Sequence, residues 1–264
     1  MSQTPAASMK HVQDCPACAS RYTVHVQAVV GQRSGRPLPQ YVCLDCRSFF
    51  NHSGYRETLQ QQKDDFDFLH ALQSTIYPNQ SQLCLELITR LPHVKTICEI
   101  GYGLGWFLRA VNDYGRTGYG FDTNPYGHEF ATATLGLNCA NGMFDLSHQT
   151  RYDMFVSIMV FEHLEQPRNV FAMMRDRLNA DGAIYLCVPF VERRDWPYLW
   201  TADSSPGTMP PDPFYDNDVH VMHYSIEGLR QLGLTQGARS AEYFMSNDVV
   251  SRSPGCYQGV LYRF

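Results

Sequence analysis

Four cysteines in two short loops are the first residues of this 264-residue sequence able to do chemistry. "CPAC" carries Cys15 and Cys18, and "CLDC" carries Cys43 and Cys46. A Cys-x-x-Cys knuckle presents two sulfurs on one tight turn. Two knuckles supply four corners of a tetrahedron, the arrangement of a structural zinc ion. Four thiolates leave no position open for water, so Cys15, Cys18, Cys43 and Cys46 are expected to hold Zn2+ structurally. The rival readings, a redox dithiol or two disulfides, suit neither a reducing compartment nor a small segment without its own core. Between the knuckles, "RYTVHVQAVV" and "LPQYVC" alternate like short strands around the turn "GQRSGRP", a zinc-ribbon outline. The other cysteines, Cys84, Cys98, Cys139, Cys187 and Cys256, lie singly, mostly among apolar residues, and read as small buried hydrophobes.

The second feature is "EIGYGLGW", a turn of alternate glycines after an apolar run. Its spacing departs from the dinucleotide fingerprint, whose third glycine follows the second by three residues. Here Gly105 follows Gly103 by two, and the next residue is the bulky Trp106. Glu99, just before the turn, would repel pyrophosphate and attract a cation. Asp122 ends the next apolar run, "TGYGFD", where a carboxylate accepts from a ribose diol.

The elements that position these residues follow from hydrophobic period. "DDFDFLHALQSTIYPNQSQLCLELITRL" is helical, with a break expected near Pro78. Strands and helices then alternate: "VKTICEI", "GWFLRAVNDYG", "TGYGFD", "PYGHEFATATLG", "LNCAN", "YDMFVSIMVF", "PRNVFAMMRDRLN", "GAIYLCVP" and "SIEGLRQLG". Ser225 is placed to cap the last of these helices, and "ARSAEYFM" and "QGVLYRF" read as closing strands. The pattern implies an α/β fold, a doubly wound and mainly parallel sheet whose ligands bind at the carboxyl ends of the strands. The expected division is a zinc-ribbon-like module over 1–63 and the α/β domain over 64–264.

"EIGYGLG" followed by "GFD" resembles the first two motifs of class I S-adenosylmethionine-dependent methyltransferases. "YDMFVSIMVFEHLEQP", "LNADGAIYLCVP" and "HYSIEGLRQLGL" are similar to later segments of that family, in the same order, and together they span about 70–264. The resemblance implies a Rossmann-like sheet of seven strands, the last antiparallel, and methyl transfer from S-adenosylmethionine. It implies that the backbone of Gly101, Tyr102, Gly103 and Gly105 approaches the methionine and ribose, and that Glu99 neutralises the amino end. Asp122 would accept the ribose hydroxyls, with Thr123 and Asn124 beside the adenine. Phe144 and Asp145 match a pair that stacks on the adenine and bonds its amino group. Asp145 serves equally well as a helix N-cap. Ser157 and Met159 would line the methyl-bearing sulfur.

Methyl transfer needs a positioned nucleophile, and a base where a proton must leave. Three histidines are candidates: His163, after "VFE", and His220 and His223 in "DVHVMHYS". Some relatives hold a divalent metal with Glu-x-x-Glu-His at the first of these places. The first position is Met159 here, a poor ligand for a hard cation, so metal-assisted catalysis is not expected from that segment. His220 and His223 are similarly placed to a catalytic histidine of sugar C-methyltransferases that also carry an N-terminal cysteine module. A lid or substrate wall is expected at about 190–219, where Arg193, Arg194, Trp196, Tyr198, Trp200, Phe214 and Tyr215 crowd an aperiodic stretch.

Charge narrows the partners. Residues 1–63 carry seven Lys/Arg against three acids, so with a chain total of −5 the remainder holds −9. No long basic stripe marks a nucleic-acid track. A small-molecule acceptor, a sugar nucleotide or another metabolite, is the first expectation. The alternative is an RNA or protein methyltransferase gripping its macromolecule with the basic module. No run reaches the roughly 20 apolar residues of a membrane span, and the N-terminus lacks the apolar core of a secretory signal, so a cytoplasmic protein is expected.

Overall fold

The computed structural model describes residues 13–145, 147–191, 218–247, 249–250 and 257–264. β1 (Thr23–Val30) and β2 (Pro37–Cys43) form an antiparallel hairpin, and β3 (Phe49–Phe50) adds to β2. α1 (Leu59–Ala71) and α2 (Gln73–Arg90) follow, then β4 (Thr96–Ile100), α3 (Trp106–Asp113), β5 (Thr117–Asp122), α4 (Pro125–Glu129), β6 (Cys139–Asn141), β7 (Tyr152–Ile158), α5 (Pro167–Asp176) and β8 (Leu178–Cys187). After 192–217, β9 (Met222–His223), α6 (Ile226–Leu234), β10 (Ser240–Ser246) and β11 (Tyr257–Arg263) complete the chain. No described helix is long and apolar enough to cross a membrane.

Seven strands form the main sheet in the order β10-β11-β8-β7-β4-β5-β6. β4 to β8 run parallel, and β11 is antiparallel to both of its neighbours. The chain winds outward from β4 through β5 to β6, then returns to β7 on the other side of β4. That reversal leaves a crevice beyond the carboxyl ends of β4 and β7, where open α/β sheets bind ligands.

Alternation along each strand splits the core into two layers. Cys98, Ile100, Phe155, Ile184 and Leu186 pack with Phe171 and Met174 of α5 and Leu229 and Leu232 of α6. Ile97, Met154, Val156, Ala183 and Tyr185 pack with Leu83 and Leu87 of α2 and Phe107 and Val111 of α3. α1 buries no residue and is held at its start by a capping box, Thr58 with Gln61.

Two local expectations need correction. The helical break falls at Leu72, not Pro78, which lies inside α2. The helix continues past the missing N–H because Leu83, Cys84, Leu87 and Ile88 anchor it to the core. The helix expected to start at Pro125 is α-helical only to Glu129 and continues as a π turn over Phe130–Thr134. Ser225 does cap α6, its hydroxyl accepting from Gly228 N at 2.8 Å.

The cysteine segment is not separate from the α/β body. β9 adds to the edge of β3, placing Phe49 opposite His223 and Phe50 opposite Met222. Cys15, Cys43 and Cys46 share an apolar cluster with Tyr224 and Leu229. Ser225 Oγ donates to Cys46 O, and Arg168 donates to Ala17 O at 3.1 Å. The expected boundary at residue 63 lies within α1.

Candidate active site

The apolar run of β4 forces Glu99 into the interior, where it is 1% exposed. Its Oε2 has no hydrogen-bond partner among the described residues. Burial, then the neighbouring Asp122, pushes its pKa well above the ordinary value. The chain turns at Gly101, whose φ is +74°, and a Cβ there would collide with Val160 after β7. Only glycine lets the two strand ends approach this closely. Gly105, at φ +84°, starts α3, and a Cβ there would lie 2.6 Å from Leu137 Cδ1.

Asp122 ends β5 and is the hinge of the site. Its Oδ2 accepts from Gly103 N and its Oδ1 from Asn124 N, each at 2.7 Å. Asn124 caps α4 through Oδ1, accepting from Tyr126 N at 3.0 Å, and donates to Gln62 O of α1 at 2.8 Å. Burial raises the Asp122 pKa, and the backbone N–H groups of Asn124 and Gly103 oppose that rise.

Two adjoining cavities open at this edge. The smaller, about 420 Å³, is walled by Glu99, Gly101, Tyr102, Gly103, Asp122 and Met159, with Leu69 and Ile76 from α1 and α2 across from them. Its described lining includes Glu57, Glu99 and Asp122 but no lysine or arginine. The larger, about 680 Å³, is bounded by Asp122, Thr123, Met143, Phe144, Val160 and His163 on the sheet side. Residues 53–57 from the N-terminal segment and Asp218, Val219 and Val221 from the later one close it. Gly101, Asp122, Thr123, Val160 and Glu57 wall both cavities.

Beyond β7, a 3-10 turn carries Glu162 and His163. Glu162 is buried, its Oε2 has no hydrogen-bond partner among the described residues, and burial pushes its pKa up to about 8. His163 Nδ1 donates to Val219 O at 3.1 Å, and its ring meets His220 edge-on at 4.7 Å between centroids. The next residue back, Asp218, is gripped by the β1–β2 turn: Arg33 N and Ser34 N donate to its carboxylate at 2.7 and 2.9 Å.

The four N-terminal sulfurs cluster. Cys15 Sγ lies 3.7 Å from Cys46 Sγ, and Cys18 Sγ lies 3.6 Å from Cys43 Sγ. A tetrahedral zinc with bonds of about 2.3 Å separates its sulfurs by about 3.8 Å. The knuckles match each other: Ala19 N donates to Cys15 O and Arg47 N to Cys43 O, and both Ala19 and Arg47 are left-handed.

The family model described as a methyltransferase domain matches residues 68–238. This chain belongs to the methyltransferase-domain family. Among solved structures, the methyltransferase is similar to a chain of the complex between the Haloferax volcanii Trm112 methyltransferase activator and a methyltransferase: TM-score 0.58, 18% identity, 79% of this chain and 98% of that one. It is also similar to the plantazolicin methyltransferase BpumL in complex with SAH, at TM-score 0.52, 13% identity, 77% of this chain and 89% of that one. Streptomyces venezuelae DesVI gives TM-score 0.53, 13% identity, 79% of this chain and 99% of that one. No curated protein matches the methyltransferase by sequence.

The methyltransferase gathers most of the residues singled out from the sequence at the two cavities: Glu99, Gly101, Tyr102, Gly103, Asp122, Thr123, Asn124, Phe144, Met159 and His163. Others it spends elsewhere. Ser157 is buried and donates to Ile100 O at 2.9 Å, tying β7 to β4. Asp145 is fully exposed and accepts from Ser147 N at 2.7 Å, closing its own turn. His223 is 1% exposed, its backbone held in the β3–β9 ladder and its pKa pushed down to about 3 by burial. Gly105 acts behind the wall, as the start of α3. Arg193, Arg194 and the aromatics Trp196 to Tyr215 lie outside the described residues.

The wall residues that sequence reasoning missed, among them Glu57, Asp65, Asp218 and Tyr257, sit far from the glycine turn in sequence and carry no motif. The Glu57 signal, a carboxylate before a capped helix, reads as ordinary N-terminal chemistry. Arg33 of the β1–β2 turn pairs with it at 3.1 Å.

Proposed function

We propose that this methyltransferase moves the methyl of S-adenosylmethionine to a small-molecule acceptor bearing no net negative charge. The single observation that carries the donor assignment is the smaller cavity's charge: acids and no described base line it, and a buried carboxylate oxygen there has no donor. A phosphate-bearing cofactor would meet repulsion there, and an ammonium or sulfonium would be attracted. Glu99 Oε2 would accept from the amino end. Asp122 retains lone pairs for the ribose hydroxyls, because a carboxylate offers about four lone-pair sites and the backbone N–H groups of Gly103, Thr123 and Asn124 do not fill them. Phe144 and Met143 offer apolar surface to the base.

Bound S-adenosylmethionine supplies a methyl on an already activated sulfur. The chain's own task is then to orient the nucleophile and exclude water. Gly101 and Val160, shared by both cavities, mark the passage through which methyl and acceptor would meet. The larger cavity has the size of small-molecule sites. Its wall includes Glu57, Asp65, Glu165 and Asp218 against Arg56, a balance suited to a neutral or cationic acceptor. His163 lies at its rim, with Nδ1 engaged and Nε2 available. We assign Zn2+ to Cys15, Cys18, Cys43 and Cys46 as a structural ion; the sulfur spacing supports it.

Calorimetry tests the donor: S-adenosylmethionine should bind wild type, and NAD should not. Transfer of labelled methyl from S-adenosylmethionine to amine or hydroxyl metabolites tests the acceptor. Label appearing only in RNA or protein would move the assignment to a macromolecular substrate.

A further inference from the structure

The four-cysteine cluster is not the chain's only metal-binding constellation. Glu162 and His163 on the turn after β7, and His220 just before β9, bring one carboxylate oxygen and two ring nitrogens within 4.8 Å of one another. We infer that Glu162, His163 and His220 form a second metal site, for a divalent first-row transition ion bound through one carboxylate and two imidazoles.

The donor set selects the ion class. Imidazole with carboxylate suits Zn2+, Mn2+, Fe2+ or Co2+, whereas four thiolates select zinc and softer ions. The thioether of Met159, at the position one turn earlier in the chain, is not needed: it lines the smaller cavity, and the third ligand comes from His220 on another segment.

Two further observations point to a cation. Glu162 is 2% exposed, and its Oε2 has no hydrogen-bond partner among the described residues. A buried carboxylate in that condition is costly until a positive charge meets it. His163 is already oriented as metal-binding histidines are. Its Nδ1–H is fixed by a backbone carbonyl, Val219 O at 3.1 Å, leaving Nε2 as the lone-pair nitrogen, 3.9 Å from Glu162 Oε1. Bonds of about 2.0–2.2 Å require the three side chains to draw together. His220 sits on a partly exposed loop position, its ring centroid 4.7 Å from that of His163. Three protein ligands leave coordination positions open, and His163, Val160 and Val219 line the larger cavity. Those positions suit an oxygen of the acceptor. That role rests on the proposed function; the site itself does not.

The experiment reads metal binding alone. The zinc-replete full-length protein is titrated with Co2+ under equilibrium dialysis, with visible spectra taken in parallel. About one further equivalent is expected, with ligand-field bands and without sulfur-to-cobalt charge transfer. Binding should weaken at least tenfold, roughly, in both Glu162→Gln and His220→Asn. His220→Asn alters a partly exposed side chain, and a wild-type circular-dichroism melt certifies its fold. Absence of the further equivalent, thiolate-type bands only, or equal binding in His220→Asn would overturn the assignment.

Discussion

Phe49 and His223 stand opposite each other across an antiparallel ladder, so the sheet that begins between the cysteine knuckles ends on the histidine segment. The β1–β2 turn grips Asp218 as well. The N-terminal sheet therefore holds both ends of the segment that carries Val219 and His220.

Removing the Zn2+ we assign to the cysteine cluster should act on turnover more than on donor affinity. Chelation, or Cys18→Ser, is expected to lower the melting temperature and to cut kcat about 10²-fold, because the segment 218–223 loses its anchor. The Kd for S-adenosylmethionine should change far less, since Glu99, Gly101 and Asp122 stand on the other sheet. Thermal melts with parallel calorimetry and rate measurements check this; equal losses in both quantities would refute it.

Asp122→Ala should weaken S-adenosylmethionine binding by roughly 10²–10³-fold, the worth of two hydrogen bonds to a charged acceptor. It also frees Gly103 N and Asn124 N, so a modest drop in stability should accompany it. Calorimetry gives the first number and urea denaturation the second.

Glu99 gives a pH dependence with a defined sign. Its pKa is raised in the folded chain above the ordinary 4.5, so the folded state holds the proton longer than the unfolded chain does. Stability of the ligand-free protein therefore falls as pH rises from about 4.5 through the raised folded value. Glu99→Gln removes this loss. The variant should melt higher than wild type at pH 8, with the gap closing near pH 4.5, while binding the donor more weakly. Melting curves that stay parallel across that range would contradict it.

Gly101→Ala should destabilise by about 2 kcal/mol or more, through both the collision with Val160 and the left-handed backbone. Adding Val160→Ala relieves only the collision. The double variant is thus expected to recover part of the loss, not all of it. Chemical denaturation of the three variants separates the two causes.

The strand and helix order was legible because each apolar run is its own signal, and the sheet follows from their alternation. The glycine turn was legible for a related reason: Gly101, Gly103 and Gly105 and the carboxylates of Glu99 and Asp122 sit at strand ends, where the chain order alone puts side chains beside a crevice. The helical break was misplaced because Pro78 is a local cue, and the burial of Leu83 and Leu87 outweighs it. Ser157 and Asp145 have the right types and places in sequence, yet one is spent on Ile100 O and the other on Ser147.

By itself, then, the sequence determined the local units: two matched knuckles, the strands and helices, and an acidic glycine turn unsuited to phosphate. Tertiary structure alone decided that β9 joins the cysteine sheet, that His223 is buried while His163 and His220 meet, and that Glu57 and Asp218 wall a cavity. The physical reason is range. Propensity, turn chemistry and hydrophobic period act between near neighbours in the chain, whereas the burial and company of a polar side chain depend on which distant segments pack against it.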